Sequence, residues 1–295
     1  MDFLNRLFGK RKSTPPDIID TAPLDPSMIG PGGIPAQQTG RILVGTAQST
    51  GLERSHNEDA LFVMQGNSEG DSSLPDFGLF IVADGMGGHR AGEVASAISI
   101  RKVAHRITQE TILHLFDDEN SAEIPPIQDM VRNALEIAND AVIEMVPGGG
   151  TTLTVAFSLG NYLTIGHVGD SRAYVISDNG SKVVTRDHSL VERLKELGQL
   201  SEDEAATHPQ RNVLYRAIGQ GANLEIDVVS HPIPANGYML LCSDGLWGVV
   251  PDEDIQSIIL NSSHPQVACE QLVQAANAGG GPDNITAVLV RFPPE

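Results

Sequence analysis

Phe77-Gly78-Leu79-Phe80-Ile81-Val82-Ala83-Asp84-Gly85-Met86-Gly87-Gly88 opens as an apolar run and stops on an aspartate followed by glycines. Such a run reads as a strand that delivers a carboxylate to its end, and glycine there lets the backbone come close to whatever the carboxylate holds. The arrangement returns at Val168-Gly169-Asp170 and at Cys242-Ser243-Asp244-Gly245, and Gly279-Gly280-Gly281-Pro282-Asp283-Asn284 leads into a further strand. One Asp-Gly alone marks only a turn. Its recurrence on the ends of β-rich runs, together with Arg54-Ser55-His56-Asn57-Glu58-Asp59, suits hard divalent cations such as Mg2+ or Mn2+, which take carboxylate, carbonyl and water oxygens.

Outward from that stretch, further β-rich runs span Ile42 to Ala47, Leu61 to Met64, Thr152 to Ser158, Tyr162 to His167, Arg172 to Ile176, Glu225 to Ser230, Tyr238 to Cys242 and Ile285 to Arg291. Helical spacing of apolar residues marks Ala91 to Leu115, Ile127 to Met145, Leu190 to Leu197, Ile255 to Leu260 and Pro265 to Ala278. A strand cluster, two long consecutive helices and then strands again lack the regular alternation of a doubly wound parallel sheet. The order predicts an α+β architecture of mainly antiparallel sheets flanked by α-helices.

The 295 residues, 40% of them hydrophobic, suffice for one large core or two modest ones, and the motifs favour one domain over 41–295. Residues 13–40 are rich in Pro, Gly, Ser and Thr and read as a disordered linker. Ahead of it, Met1, Phe3, Leu4, Leu7 and Phe8 can share one helical face while Arg6, Lys10, Arg11 and Lys12 add positive charge. Residues 1–12 therefore read either as a frayed terminus or as a weak docking helix for a membrane surface or a partner. The formal charge of −19 and the absence of a basic stripe in the body exclude nucleic acid as a partner. Two cysteines, no secretory signal and no long apolar span point to a soluble protein of a reducing compartment, the cytoplasm, with membrane association only through the first residues.

Arg54 beside Glu58 and Asp59 suits a site that grips a phosphate next to metal ions, because a guanidinium bonds two phosphate oxygens at once. Other phosphatase chemistries lack their residues. A cysteine nucleophile would need a basic phosphate loop, yet Gly248 and Ala275 stand six places after Cys242 and Cys269. No P-loop, nucleophile elbow or His-Glu-x-x-His helix occurs.

With these residues in place, the chain resembles the bacterial-type branch of the protein phosphatase 2C family over nearly all of Arg41 to Arg291. The resemblance is carried, in order, by Arg54-x-x-Asn57-Glu58-Asp59, Ala83-Asp84-Gly85-Met86-Gly87-Gly88-His89-x-x-Gly92-Glu93 and Gly150-Thr151-Thr152. His167-Val168-Gly169-Asp170-Ser171-Arg172, Thr185-Arg186-Asp187-His188-Ser189, Ser243-Asp244-Gly245-Leu246-Trp247 and Asp283-Asn284 complete it. It implies a central β-sandwich of two antiparallel sheets with helices outside and two Mn2+ or Mg2+ ions at one end. By similarity, Asp84 bridges both ions, Asp244 and Asp283 complete one site, and the Gly85 carbonyl with Glu58 completes the other. Asp59 holds metal-bound water, Asp170 stands where a third, weaker ion binds, and Arg54 binds the substrate phosphate.

The reaction so implied is direct hydrolysis of phosphoserine and phosphothreonine in proteins by a water bridging the two ions, without a phosphoenzyme. The partners are phosphorylated proteins, Ser/Thr kinases and their substrates among them, and a monomer is expected. Position 86 is methionine where the eukaryotic pattern has histidine, so His89 is the first candidate general acid and His188 the second. Residues 189–216 resemble the mobile flap beside the active site, and Trp247 is expected to pin its own loop as a core residue. Two alternatives stay open: a catalytically weak phosphatase-like binding module, and a phosphatase of small phosphomonoesters.

Overall fold

The computed structural model describes residues 42–67, 75–87, 90–116 and 126–293. The basic first segment, the linker and His89 lie outside them.

Strand β3 (Phe77–Ala83) is buried along its whole length because both of its faces meet apolar layers. Leu79, Ile81 and Ala83 share one core with α1 (Arg90–Ile107) and α2 (Ile127–Met145), while the intervening Phe80 and Val82 point into the other side. This is the two-residue alternation of a pleated strand, here apolar on both faces, and it explains why the run shows no polar interruption. Full burial of a side chain such as Phe80 contributes about 1.5–3 kcal/mol.

That strand belongs to the first of two five-stranded antiparallel sheets. Its order is β10-β7-β6-β3-β2, formed by β2 (Ala60–Gly66), β3, β6 (Leu153–Leu159), β7 (Tyr162–Val168) and β10 (Asp227–Pro232). The second sheet, β1-β12-β11-β8-β9, joins β1 (Leu43–Ser49), β8 (Arg172–Ser177), β9 (Gly180–Val183), β11 (Tyr238–Cys242) and β12 (Ile285–Arg291). Phe80, Val82, Ile165, Leu241 and Val288 fill the space between them. On the outer face of the second sheet, Cys242, Ala287 and Leu289 pack under α6 (Asp252–Asn261) and α7 (Pro265–Ala278). The result is a four-layer sandwich, helices–sheet–sheet–helices: the helix-flanked antiparallel sheets expected from the order of elements, paired as the resemblance implies.

Helix α2 buries Met130, Val131, Ala134, Leu135, Ala138, Ala141 and Val142, the spacing of one helical face. The expected single helix from Ala91 to Leu115 is corrected at its end. Regular α1 stops at Ile107, and the chain continues through a wider π turn (Thr108–Ile112) and a 3-10 turn (Leu113–Phe116). Four elements had no sequence signal because each is too short for periodicity: β9, the two-residue pair β4 (Gly85–Met86) with β5 (Gly150–Thr151), and α5 (Asp244–Trp247). Helix α4 spans Glu202–Ala206. Helices α3 (Leu190–Glu196) and α4 occupy the charged 189–216 excursion, which is tied back by a bridge between Ser189 and Leu214. Among the described residues, no helix is long and apolar enough to cross a membrane.

Candidate active site

The strand ends that carry the aspartates meet at one edge of the sandwich. Asp59 precedes β2, Asp84 follows β3, Asp170 follows β7, Asp244 follows β11, and Asp283 stands just before β12. Antiparallel pairing brings these points together, since β2 starts opposite the end of β3 and β12 starts beside the end of β11. They surround a cleft of about 430 Å³ whose lining includes Arg54, Glu58, Asp84, Asp170, Asp244 and Asp283. Asp59 lies deeper, behind that lining.

Packing carboxylates this closely is costly unless something positive joins them. Burial and then repulsion from its neighbours push the Asp84 carboxyl well above the ordinary range, and the same two causes raise Asp170. Burial drives Asp59 up to about 7, against the opposing hydrogen bonds from Thr286 and Ser243. Asp244 rises to about 6, through burial and then the nearby Asp283, while sharing a hydrogen bond with Asp84. Two carboxylate oxygens in this group, Oδ1 of Asp59 and Oδ1 of Asp244, are buried without any hydrogen-bond partner. Buried acceptors left unpaired cost about 1–3 kcal/mol each, so they call for a cation. The all-oxygen donor set is that of a hard divalent ion. Among the described residues, no group of three or more His, Cys, Asp or Glu side chains is gathered closely enough to hold a metal ion by itself.

The one guanidinium in the lining, Arg54, is 53% exposed and donates from Nη2 to Asp283 Oδ2 at 2.7 Å. That bond holds its pKa above the ordinary value. Being so exposed, the pair contributes little to stability and leaves the side chain free to turn towards an incoming anion.

Hydroxyl and amide side chains hold the acids in place, and the sequence reading assigned them no such role. Asp84 is fixed through its backbone: its N–H donates to Thr152 Oγ1 (2.9 Å), and its carbonyl accepts from Thr151 Oγ1 (2.9 Å) and from the Thr152 N–H (2.8 Å). Asp59 Oδ2 accepts from Ser243 Oγ (2.8 Å) and Thr286 Oγ1 (2.6 Å). Asn284 accepts from the Glu58 N–H at 2.8 Å and donates to the carbonyls of Thr50 and His56, both at 2.9 Å, so it clamps the loop carrying Arg54 and Glu58. The only signal for Thr151, Thr152, Ser243 and Asn284 was their place inside the quoted motifs, and Thr286 stood only in the β-rich run Ile285 to Arg291. Gly92 on α1 lets the helix touch the cleft: a Cβ there would fall 2.6 Å from Glu58 Oε2 and 2.9 Å from the Gly85 carbonyl carbon. Asn212 and Leu214, from the charged excursion, also line the cleft.

Behind the Asp170 turn stand two imidazoles with ring centres 5.0 Å apart. His188 accepts the Gly169 N–H on Nδ1 at 3.1 Å, and its Nε2 faces Asp227 Oδ2 at 3.2 Å. His167 donates from Nε2 to the Arg186 carbonyl at 3.0 Å and faces Thr154 with Nδ1. Burial lowers both, His167 to about 3, so both are neutral. His188 is absent from the cleft lining and spends both nitrogens on the fold, so the second candidate acid is not brought to the site. Trp247 is half-buried instead of sealed in the core. It donates from Nε1 to the Asp170 carbonyl at 2.9 Å, beneath the Arg172 guanidinium at 3.6 Å, and thus pins the Asp170 turn as well as its own.

The family described as protein phosphatase 2C matches residues 45–207. The serine/threonine phosphatase stp of Listeria welshimeri is 35% identical over 246 residues, covering 81% of this chain and 92% of that one. The serine/threonine protein phosphatase PstP of Mycobacterium tuberculosis is 37% identical over 244 residues, covering 81% of this chain and 43% of that longer one. A crystal structure of the PstP catalytic domain in complex with two manganese ions superposes with a TM-score of 0.69 at 30% identity, over 85% of this chain and 98% of that one. The ordered motifs, the two-sheet sandwich and these likenesses agree, and the chain belongs to the protein phosphatase 2C family.

Proposed function

We propose that this protein phosphatase hydrolyses phosphoserine and phosphothreonine in proteins, with two Mn2+ or Mg2+ ions held among the cleft carboxylates. The observation that carries the reading is the convergence of Asp84, Asp170, Asp244 and Asp283 beside Arg54, with a buried aspartate oxygen left unpartnered. Asp84, Asp244, Asp283, the Gly85 carbonyl and Glu58 are the donors for the two ions, and Asp170 serves a third, weaker one. Divalent ions in such a site offset the negative charge that develops on phosphate oxygens and make water easier to deprotonate.

The protein's own residues do the rest. Arg54 turns from Asp283 to grip two oxygens of the phosphate dianion. Asp59, held by Ser243 and Thr286, keeps its second oxygen for ordering water. Neither cysteine supplies a nucleophile: both are buried in the core under the second sheet, where burial raises Cys242 and pushes Cys269 up to about 12. Water therefore attacks directly, and no phosphoenzyme forms. Protonation of the leaving serine or threonine oxygen falls to His89, a role that rests on the family resemblance.

The same reading makes 41–295 the catalytic domain, 189–216 its flap, 13–40 a linker and 1–12 a segment for weak docking on a membrane surface or partner. It places a monomer in the cytoplasm, acting on Ser/Thr kinases and their substrates. Hydrolysis of a phosphothreonine peptide, measured with Mn2+ and then with a chelator, tests it alongside small phosphomonoesters. Cation-dependent turnover that favours the peptide is expected. Turnover that ignores the chelator, or that takes only the small esters, would contradict it.

A further inference from the structure

A second cavity, of about 530 Å³, opens beside the 189–216 excursion and shares no lining residue with the carboxylate cleft. Arg186, Arg193, Tyr215, Arg216, Gln220 and Glu225 are among the residues that line it. Its lining carries three guanidiniums and one carboxylate, Glu225, on a chain whose formal charge is −19; Glu196 and Asp227 also pair with these arginines, so the wall turns positive where an incoming anion displaces its acids. On such a body, this wall is where an acidic segment meets attraction instead of repulsion.

The acids now holding these arginines are weakly held themselves. Arg186 and Arg193 both reach Glu196 from side chains 44% and 53% exposed. Arg216 is less exposed, at 21%, and is braced from within by Asp227 Oδ1 at 3.4 Å. Its outer partner, Glu225, is 76% exposed. Exposed pairs of this kind contribute little to stability, so a carboxylate or phosphate that engages several guanidiniums at once displaces them. Half-exposed Tyr215 stacks under Arg216, 5.4 Å from ring centre to guanidinium, and holds the fork in place.

The cavity also adjoins the cleft. Gln220 lines the cavity and donates to Met86 Sδ at 3.5 Å, and Met86 lines the cleft. The cleft that would hold the phosphorylated residue and the arginine cavity therefore adjoin at the Met86–Gln220 contact. From this placement we infer that the arginine cavity is a second anion subsite, binding a carboxylate or phosphate carried by the substrate polypeptide a few residues from the one hydrolysed. The inference rests on the phosphoprotein reading of the cleft and adds a preference for acidic or multiply phosphorylated segments.

The test compares three phosphothreonine peptides in the full chain: one with neutral flanks, one with glutamates before the phosphothreonine and one with glutamates after it. One acidic peptide is expected to show a KM about tenfold below the neutral one. An Arg186→Ala/Arg193→Ala double variant should erase that difference. It should leave kcat, the neutral peptide and p-nitrophenyl phosphate unchanged. Glu225→Gln, which removes a competing acid, should lower the KM of the favoured peptide further. No preference in the unaltered chain, or a preference that survives the double variant, overturns the subsite. Fluorescence anisotropy of the same peptides reads the cavity separately from turnover: selective binding without hydrolysis would count against the phosphatase reading alone, and non-selective binding against the subsite.

Discussion

At the residue scale, the carboxylates of the cleft are held in place by uncharged neighbours. Thr152, Ser243, Thr286 and Asn284 act through hydrogen bonds to residues up to 234 positions away, as Asn284 does to Thr50, and nothing local in a sequence records such partners. Asn284 is 5% exposed and uses its carbonyl once and its amide twice on the 50–58 loop. Asn284→Ala leaves those backbone groups unpaired at about 1–3 kcal/mol each and releases the loop that carries Arg54 and Glu58. We expect a fall in Tm of several degrees together with a loss of kcat at saturating Mn2+, read by thermal unfolding and steady-state kinetics. Unchanged kcat in a folded variant would remove Asn284 from the positioning of the site.

At the element scale, long periodic segments came through and short ones did not. Ile127–Met145 is visible as a helix because its buried apolar positions recur at helical spacing from Met130 to Val142, whereas the two-residue pair of Gly85–Met86 with Gly150–Thr151 has no period to detect. Yet that small pair is where α1 meets the cleft, and the contact depends on the missing side chain of Gly92. In Gly92→Ala the new methyl would press on Glu58 Oε2, the end of a side chain that can turn aside, and on the backbone of Gly85 and Met86, which cannot. Over-packing of this kind costs about 1–3 kcal/mol. The variant should fold, lose stability by that amount in denaturant unfolding, and need more Mn2+ for half-maximal activity. An unchanged Mn2+ requirement would show that the approach of α1 does not shape the site.

At the scale of the whole molecule, the sandwich solves an electrostatic problem. Two sheets bring strand ends from opposite halves of the sequence to one edge, and the chain sets five aspartates there, with burial and mutual repulsion raising four of them. The antiparallel, helix-flanked architecture was readable from the order of β-rich and helical runs, and its pairing into two sheets came from the family resemblance. The cleft itself was readable only as a list of carboxylates, since the register that gathers them is a property of the assembled sheets. Raised carboxyls hold protons that a cation must displace: without cations Asp59 titrates near 7 and Asp244 near 6, so cation binding should release protons and weaken as pH falls through that range.

Calorimetric titration of Mn2+ into the metal-stripped chain, at pH 7.5 and pH 6 in buffers of differing ionisation enthalpy, measures both effects at once. We predict at least two ions per chain at pH 7.5, proton release on binding, weaker binding at pH 6, and a loss of affinity of about tenfold or more in Asp84→Asn. Binding that is equally tight at both pH values and in that variant would contradict the account.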